Sequence, residues 1–247
     1  MSLYRTKALL DLLMPRVCLV CGRTLAVEEN HLCGACRGDL PLTYYWEREH
    51  NLMADKFNSV IEKFRADDEY MPYSYAAALL FYHAENPYKR IPQAIKYLYN
   101  RRAGKDFGTM LGEKLSSAAH FADVDLVIPV PLHWTRLWKR GYNQAGVIAE
   151  SAARAMGAKY APDVLLRRRK TGSQVSRAAG ERLSNAVSAF CPNPRKRPDG
   201  CRHILVVDDT FTTGATLAGC YLAIRDAFTG REMPRISVAT LSVVEAV

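Results

Sequence analysis

Residues Ile204 to Thr216 read Ile-Leu-Val-Val-Asp-Asp-Thr-Phe-Thr-Thr-Gly-Ala-Thr, and few folds can use that order. Four consecutive apolar residues suit a strand buried on both faces, as in a parallel sheet. Such a strand delivers Asp208 and Asp209 to its carboxyl end, where open α/β sheets bind their ligands. A hydroxyl-rich turn follows from Thr210, Gly214 allows close backbone approach, and a helix starts at about Ala215. The N–H groups of a helix start, backed by its dipole, make a phosphate site, and Thr210, Thr212, Thr213 and Thr216 add donors. The two carboxylates suit the 2- and 3-hydroxyls of a ribose whose 5-phosphate sits in the turn. A plain strand–turn–helix joint with capping threonines explains each residue singly, but not the buried strand, acidic pair and Thr-Thr-Gly-Ala-Thr together. A P-loop is disfavoured, because GxxxxGK[ST] occurs nowhere in the chain.

The flanking sequence extends the α/β pattern. Val124 to Val130 reads as a short buried strand ended by prolines, Asn143 to Met156 and Ala215 to Phe228 as helices, and Ile236 to Leu241 as a last strand. Alternating strands and helices predict a doubly wound parallel sheet over residues 122–247. Arg167 to Gly180 and Cys191 to Gly200, rich in basic residues, Gly, Ser and Pro, read as mobile loops. Residues 41–121 form a linking or hood segment. It holds a polar stretch (Glu47 to Asp68), an apolar run from Ala76 to Tyr82, one helix from about Ile91-Pro92 through Leu98, and another from Asp106 to Ala119.

Residues 1–40 carry a different signal. Cys18-Leu19-Val20-Cys21 and Cys33-Gly34-Ala35-Cys36 are separated by the 11 residues Gly22 to Leu32. Each CxxC forms a knuckle holding two thiolates a tetrahedral edge apart, and two knuckles close a four-thiolate zinc site. With no open coordination position the zinc is expected to be structural, supplying folding free energy that so short a segment lacks. His31 beside a full ligand set reads as a bystander. Redox disulfides are the competing reading, disfavoured by two matched pairs in one segment and an odd total of seven cysteines.

Thirty-four Lys plus Arg against 25 Asp plus Glu give a formal charge of +9, which favours a polyanionic partner: a phosphorylated metabolite, a nucleic acid, or both. A generally basic surface with no partner accounts for the charge equally well. No apolar run reaches the roughly 20 residues needed to span a bilayer. Ala8 to Met14 contains Asp11 and lacks a cleavage pattern, so it reads as a short amphipathic helix, and the expected location is the cytoplasm.

The Asp208–Thr216 segment resembles the motif that binds 5-phosphoribosyl-1-pyrophosphate (PRPP) in type I phosphoribosyltransferases. The chain as a whole resembles the ComF family of competence-associated, phosphoribosyltransferase-like proteins. That likeness rests on the double CxxC, Gln93-Ala94-Ile95-Lys96-Tyr97, Ile128-Pro129-Val130-Pro131-Leu132-His133, and Arg136. It continues through Arg140-Gly141-Tyr142-Asn143-Gln144-Ala145, Gln174 with Arg182 and Asn185, and the PRPP loop. It implies a type I phosphoribosyltransferase-like parallel sheet with helices on both faces plus a small N-terminal zinc module. It further implies a pyrophosphate-binding turn after Val130, a flexible loop from Arg167 to Gly180 closing over the site, and Lys96 on the ligand. Val175-Ser176-Arg177 departs from the leucine-bearing segment expected after the family's glutamine.

From the residues themselves, Arg136, Lys139 and Arg140 follow a strand end where cations would face a diphosphate, although a solvated helix face explains Lys139 as well. Asn143 and Gln144 also read as a helix cap and a surface amide, and Lys96 and Tyr97 as the outer face and core anchor of a helix. Two functions follow. In the first, a phosphoribosyltransferase uses Asp208, Asp209 and Arg140, with Mg²⁺ carried mainly by PRPP, to displace pyrophosphate from the anomeric carbon. In the second, a non-catalytic protein of DNA uptake binds single-stranded DNA, or works with competence machinery. Tyr44, Tyr45, Trp46, Trp134 and Trp138 could then stack on bases, although core packing is the expected role of all five.

Overall fold

A computed structural model describes residues 14–65, 71–167 and 188–244. Of the densest basic run, Arg167-Arg168-Arg169-Lys170, only Arg167 is among the described residues; Gln174, Val175 to Arg177, Arg182 and Asn185, and most of Ala8 to Met14 lie outside them.

The continuous apolar runs form one five-stranded parallel sheet. In chain order the strands are β1 (Ala76–Tyr82), β2 (Leu126–Pro129), β3 (Lys159–Tyr160), β6 (His203–Phe211) and β7 (Arg235–Val244), in spatial order β1-β7-β6-β2-β3. Two short antiparallel strands, β4 (Leu165–Arg167) and β5 (Phe190–Pro192), make a separate ribbon. Its second strand occupies the start of the stretch expected as a mobile loop. The helices are α1 (Gly34–Gly38), α2 (Leu52–Glu62), α3 (Arg90–Tyr97), α4 (Arg101–Ser116), α5 (Trp134–Arg140), α6 (Gln144–Met156) and α7 (Ala215–Ala227). The α/β class expected from the sequence, ahead of which sits a four-cysteine module, is the one adopted.

The apolar run Ala76–Tyr82 is the sheet's edge strand, paired with β7 from Ala76↔Val238 to Tyr82↔Val244. The sheet therefore draws strands from both sides of residue 122. From β2 the chain moves outward through α6 to β3, then returns to β6 and moves the opposite way through α7 to β7. Right-handed crossovers in opposite directions put α6 and α7 on opposite faces. The carboxyl ends of β2 and β6 then flank a topological switch point, where such sheets open a crevice.

Helix α4 lies against α6 at a spacing that only glycine permits. A Cβ on Gly108 would sit 2.7 Å from the Ile148 oxygen, and one on Gly112 would sit 2.5 Å from the Ala152 oxygen. Gly112→Ala should therefore force the helices apart and cost about 1–3 kcal/mol. Gly38→Ala, with nothing within 4 Å of the added carbon, should be neutral. Urea denaturation checks this through a midpoint shift at unchanged slope.

At the sheet's amino end, His203 bridges Asp123 (2.6 Å) and Ser237 (2.8 Å). Ser237 is fully buried, so this chain of hydrogen bonds ties β6 to β7. Among the described residues, no helix is long and apolar enough to cross a membrane.

Candidate functional site

Strand β6 runs further than the sequence suggests. Pairing continues through Asp208↔Thr240 and Thr210↔Ser242 to Phe211↔Val243, because β7 extends to Val244 and keeps offering partners. Asp208, Asp209 and Thr210 are therefore held on the end of a rigid strand, and the turn proper is Thr212 to Gly214. Beside them opens a cavity of ≈ 270 Å³. The expected residues Lys96, Arg136, Arg140, Asp208, Asp209, Thr210, Thr212 and Thr216 all line it. Thr213, Gly214 and Ala215 line a small adjoining hollow with Asp208 and Thr210.

Each wall of the cavity has a local cause. Val130 N–H donates to the Val207 oxygen (2.8 Å), carrying the chain from β2 alongside β6. The Asn143 amide then donates to the Val130 oxygen (2.9 Å), pinning the Val130–Leu132 turn to the start of α6. Arg140 reaches the Gln144 amide oxygen at 3.4 Å. Gln144 is buried, and its amide nitrogen has no hydrogen-bond acceptor among the described residues. It lines the cavity, where surface placement had been one reading.

On the other side, Gly214 adopts φ +79°, the left-handed region that favours glycine, and caps the start of α7. A Cβ there would also press on the Phe211 ring at 3.1 Å. The turn is steadied by Lys56 of α2, whose Nζ donates to the Thr212 oxygen at 2.8 Å. Nothing in the polar stretch around Lys56 marks it in the sequence.

Electrostatically the cavity sets four cations, Lys96, Arg136, Arg140 and Arg167, against two carboxylates. Lys96 Nζ lies 3.3 Å from Asp209 Oδ2. Burial, then the neighbouring Asp209 charge, push the Asp208 carboxyl up to about 7, against the pull of the Asp209 N–H, Lys96 and Arg167. Burial, then Arg136, lower the Arg167 guanidinium below its usual value. Arg167 ends β4 and lies over the Phe190 ring at 5.1 Å. In the sequence it is one of several adjacent arginines, and only its place on the β4–β5 ribbon singles it out.

Four aromatic expectations change. Tyr45 and Trp46 are buried, as core packing requires, but Tyr44 is exposed, as are Trp134 and Trp138 at 70% and 89%. On α5 the tryptophans are four residues apart and share a face, opposite the one bearing Arg136 and Arg140. A helix with one face on a polar cavity and only seven residues cannot bury both sides. Tyr97, read as a core anchor, is exposed, because α3 buries Ile91, Ala94 and Ile95 instead.

The second site is the cysteine cluster. The Sγ atoms of Cys18, Cys21, Cys33 and Cys36 lie within 4.8 Å of one another, and none of the seven cysteines forms a disulfide. The Cys21–Cys33 sulfur separation of 3.7 Å is close to the tetrahedral edge of ~3.8 Å set by Zn–S bonds of about 2.3 Å. Gly22 at φ +76° closes the first knuckle. Gly34 instead begins α1, and its N–H donates to Glu29 at 2.6 Å. Burial opposes ionisation of Cys18, yet the N–H groups of Cys21, Cys33 and Val20 outweigh it and bring the thiol down to about 6. Four sulfurs gathered at this spacing, with backbone donors on Cys18, are a donor set suited to zinc.

Residues 9–45 match the family model described as the double zinc ribbon domain. Competence protein F of Haemophilus influenzae is 24% identical over 206 residues, covering 81% of this chain and 86% of that protein. The DNA utilization protein YhgH of Escherichia coli strain K12 is 33% identical over 94 residues, covering 38% of this chain and 40% of that protein. Among solved structures, the glutamine PRPP amidotransferase of B. subtilis, complexed with ADP and GMP, matches 56% of this chain and 26% of its own. Its identity is 21% and its TM-score 0.36, a likeness too loose to add anything. The chain is thus similar to competence protein F along most of its length, and to the double zinc ribbon domain over residues 9–45.

Proposed function

We propose that the chain binds PRPP with Mg²⁺ at the end of β6 and transfers its phosphoribosyl group to an acceptor, in a role connected with DNA uptake. The observation carrying this is the convergence of Lys96, Arg136, Arg140, Asp208, Asp209 and the threonine turn on one cavity. Asp208 and Asp209 would accept from the ribose 2- and 3-hydroxyls, and the α7 start with its threonines would hold the 5-phosphate. Arg136, Arg140 and Arg167 would face the diphosphate. In the transfer, the bond from the anomeric carbon to pyrophosphate breaks as the acceptor's lone pair forms the new one. The arginines take up the leaving group's charge, and the carboxylates favour positive charge on the ring. Mg²⁺, held by the phosphates, would add charge neutralisation. The names of its relatives, one a competence protein and one a DNA utilization protein, support the wider role, and seven unpaired thiols suit the cytoplasm. Calorimetric titration of Mg-PRPP into the zinc-loaded protein tests binding, and pyrophosphate release across an acceptor panel tests transfer. No binding by the folded protein sinks both.

A second reading has its own support in exposed Trp134 and Trp138 beside a basic cavity. Single-stranded DNA stacked on them should bind with a steep salt dependence. Trp134→Ala/Trp138→Ala should weaken it by about 1–3 kcal/mol per stacked base. Oligonucleotide fluorescence anisotropy against salt checks this, and a flat salt profile or an unaffected variant removes the reading.

A further inference from the structure

Arg90 and Tyr88 tie the cysteine module to the helical unit that carries Lys96, while His31 ties it separately to Asp106 of α4 at 3.3 Å. The single-turn segment Pro87–Lys89 runs without a break into α3, itself only two turns long. At the amino end of this unit Arg90 Nη1 donates to the Val20 oxygen at 2.7 Å. Val20 lies between the two cysteines of the first knuckle. Buried Tyr88 donates its hydroxyl toward the Cys36 oxygen (3.1 Å) and the Asp39 carboxylate (3.2 Å), at the second knuckle. At the carboxyl end, Lys96 sits 3.3 Å from Asp209. Lys96 follows Arg90 by six positions, a rise of about 9 Å along the helix. The helix is thus a short strut, with a knuckle carbonyl at one end and a cavity carboxylate at the other.

The acceptors matter as much as the donors. The Val20 oxygen lies within a CxxC turn and the Cys36 oxygen belongs to a ligand residue. Both hold these positions only while the knuckles are closed, and closing them is what a structural zinc does. Helix α3 has a competing anchor in its own buried face, Ile91, Ala94 and Ile95, and in the Tyr142 hydroxyl, which donates to the Ile95 oxygen. That anchor fixes the middle of the helix. Arg90 and Tyr88 fix its start, and with it the angle at which Lys96 is presented.

We propose that Arg90 and Tyr88 are positioning residues that couple the metal-closed knuckles to Lys96, so that zinc loading sets the affinity of the cavity for its anionic ligand. This rests on the reading that the ligand is Mg-PRPP. Because coupling between two sites is reciprocal, the ligand must tighten zinc by the same factor that zinc tightens the ligand.

The test uses the full-length, zinc-loaded protein with Arg90→Met, Tyr88→Phe, Lys96→Met and Arg90→Met/Lys96→Met, each checked for one zinc per chain. Calorimetry should show Arg90→Met weakening Mg-PRPP about five- to tenfold, with Arg90→Lys recovering part of the loss. Tyr88→Phe, which removes one hydroxyl, should act in the same direction and guards against misfolding of the larger change. The double variant should bind no more weakly than Lys96→Met alone, since Arg90 acts through Lys96. In parallel, Mg-PRPP should slow zinc transfer to a chromophoric chelator in the wild type and fail to do so in Arg90→Met. Unchanged affinity in both single variants overturns the inference, as does a loss simply additive with that of Lys96→Met. If the wild type itself binds no Mg-PRPP, the ligand reading fails and the coupling built on it goes with it.

Discussion

Asp208→Asn/Asp209→Asn should lose Mg-PRPP binding by at least about 100-fold while remaining as stably folded as the wild type. Each carboxylate would accept a charge-assisted hydrogen bond from a ribose hydroxyl, worth about 1.5–3 kcal/mol. Two such losses amount to about two to four decades in Kd. The stability half of the prediction separates binding from folding. Asp208 is half-buried at the end of β6, next to Asp209, and its carboxyl is raised to about 7. A carboxyl whose pKa is raised on folding contributes stability below the unfolded value of about 3.9, and that contribution is lost as pH rises through the folded value. At pH 7.5 the ionised pair is thus a burden on the free protein, which neutral asparagines lift. Thermal melts at pH 5 and pH 7.5 should show wild type and variant converging, or the variant ahead, at the higher pH. A variant that binds as wild type does would take the ribose away from these carboxylates.

The same group gives the binding a pH signature. If Asp208 must be ionised to accept from a hydroxyl, binding below about pH 7 expels a proton. Titrations at pH 6 in buffers of different ionisation enthalpy should show net proton release beyond that of PRPP itself.

How much of this was legible in the sequence depends on whether a feature is local. Ile204–Val207 with the acidic pair and the threonine turn is a local code, because a buried strand, its end and a helix start follow one another in the chain. The two CxxC knuckles are equally local. What could not be read came from partners distant in sequence. The extension of β6 to Phe211 depends on β7 reaching Val244, and Lys56 meets Thr212 across 156 residues. The Gly108 and Gly112 contacts with α6 look, in sequence, like plain helix-weakening glycines. The run Ala76–Tyr82 gave no sign of whether it was strand or helix, since short apolar runs fit both. Trp134 and Trp138 resist a local reading because aromatic residues default to cores, and nothing local tells that the opposite face of α5 is already committed to the cavity.

Removing the metal, or replacing Cys33 and Cys36 by serine, should unfold the module and leave the sheet standing. The argument turns on where the apolar surface lies. Around the knuckles only Cys18, Val20, Leu25, Leu32 and Cys33 are buried, whereas the sheet and its helices supply the bulk of the core. So thin an apolar set cannot offset the ordering of a segment this long, at roughly 1.5 kcal/mol per residue. Metal binding to closed four-ligand sites contributes about 10–16 kcal/mol in isolated zinc modules, more than enough to reverse the balance. The sheet keeps its own parallel ladder and the α4–α6 contact, neither of which passes through the cysteines. Metal analysis should therefore find one zinc per chain in the wild type and none in Cys33→Ser/Cys36→Ser. Limited proteolysis of the variant should show new cuts between residues 17 and 40 that the wild type lacks, with the cleavage pattern of the rest of the chain unchanged. A double variant that keeps its zinc and its protection would mean that these four sulfurs are not the ligand set. If cleavage spread at once through the sheet, the module would be an integral part of a single cooperative core.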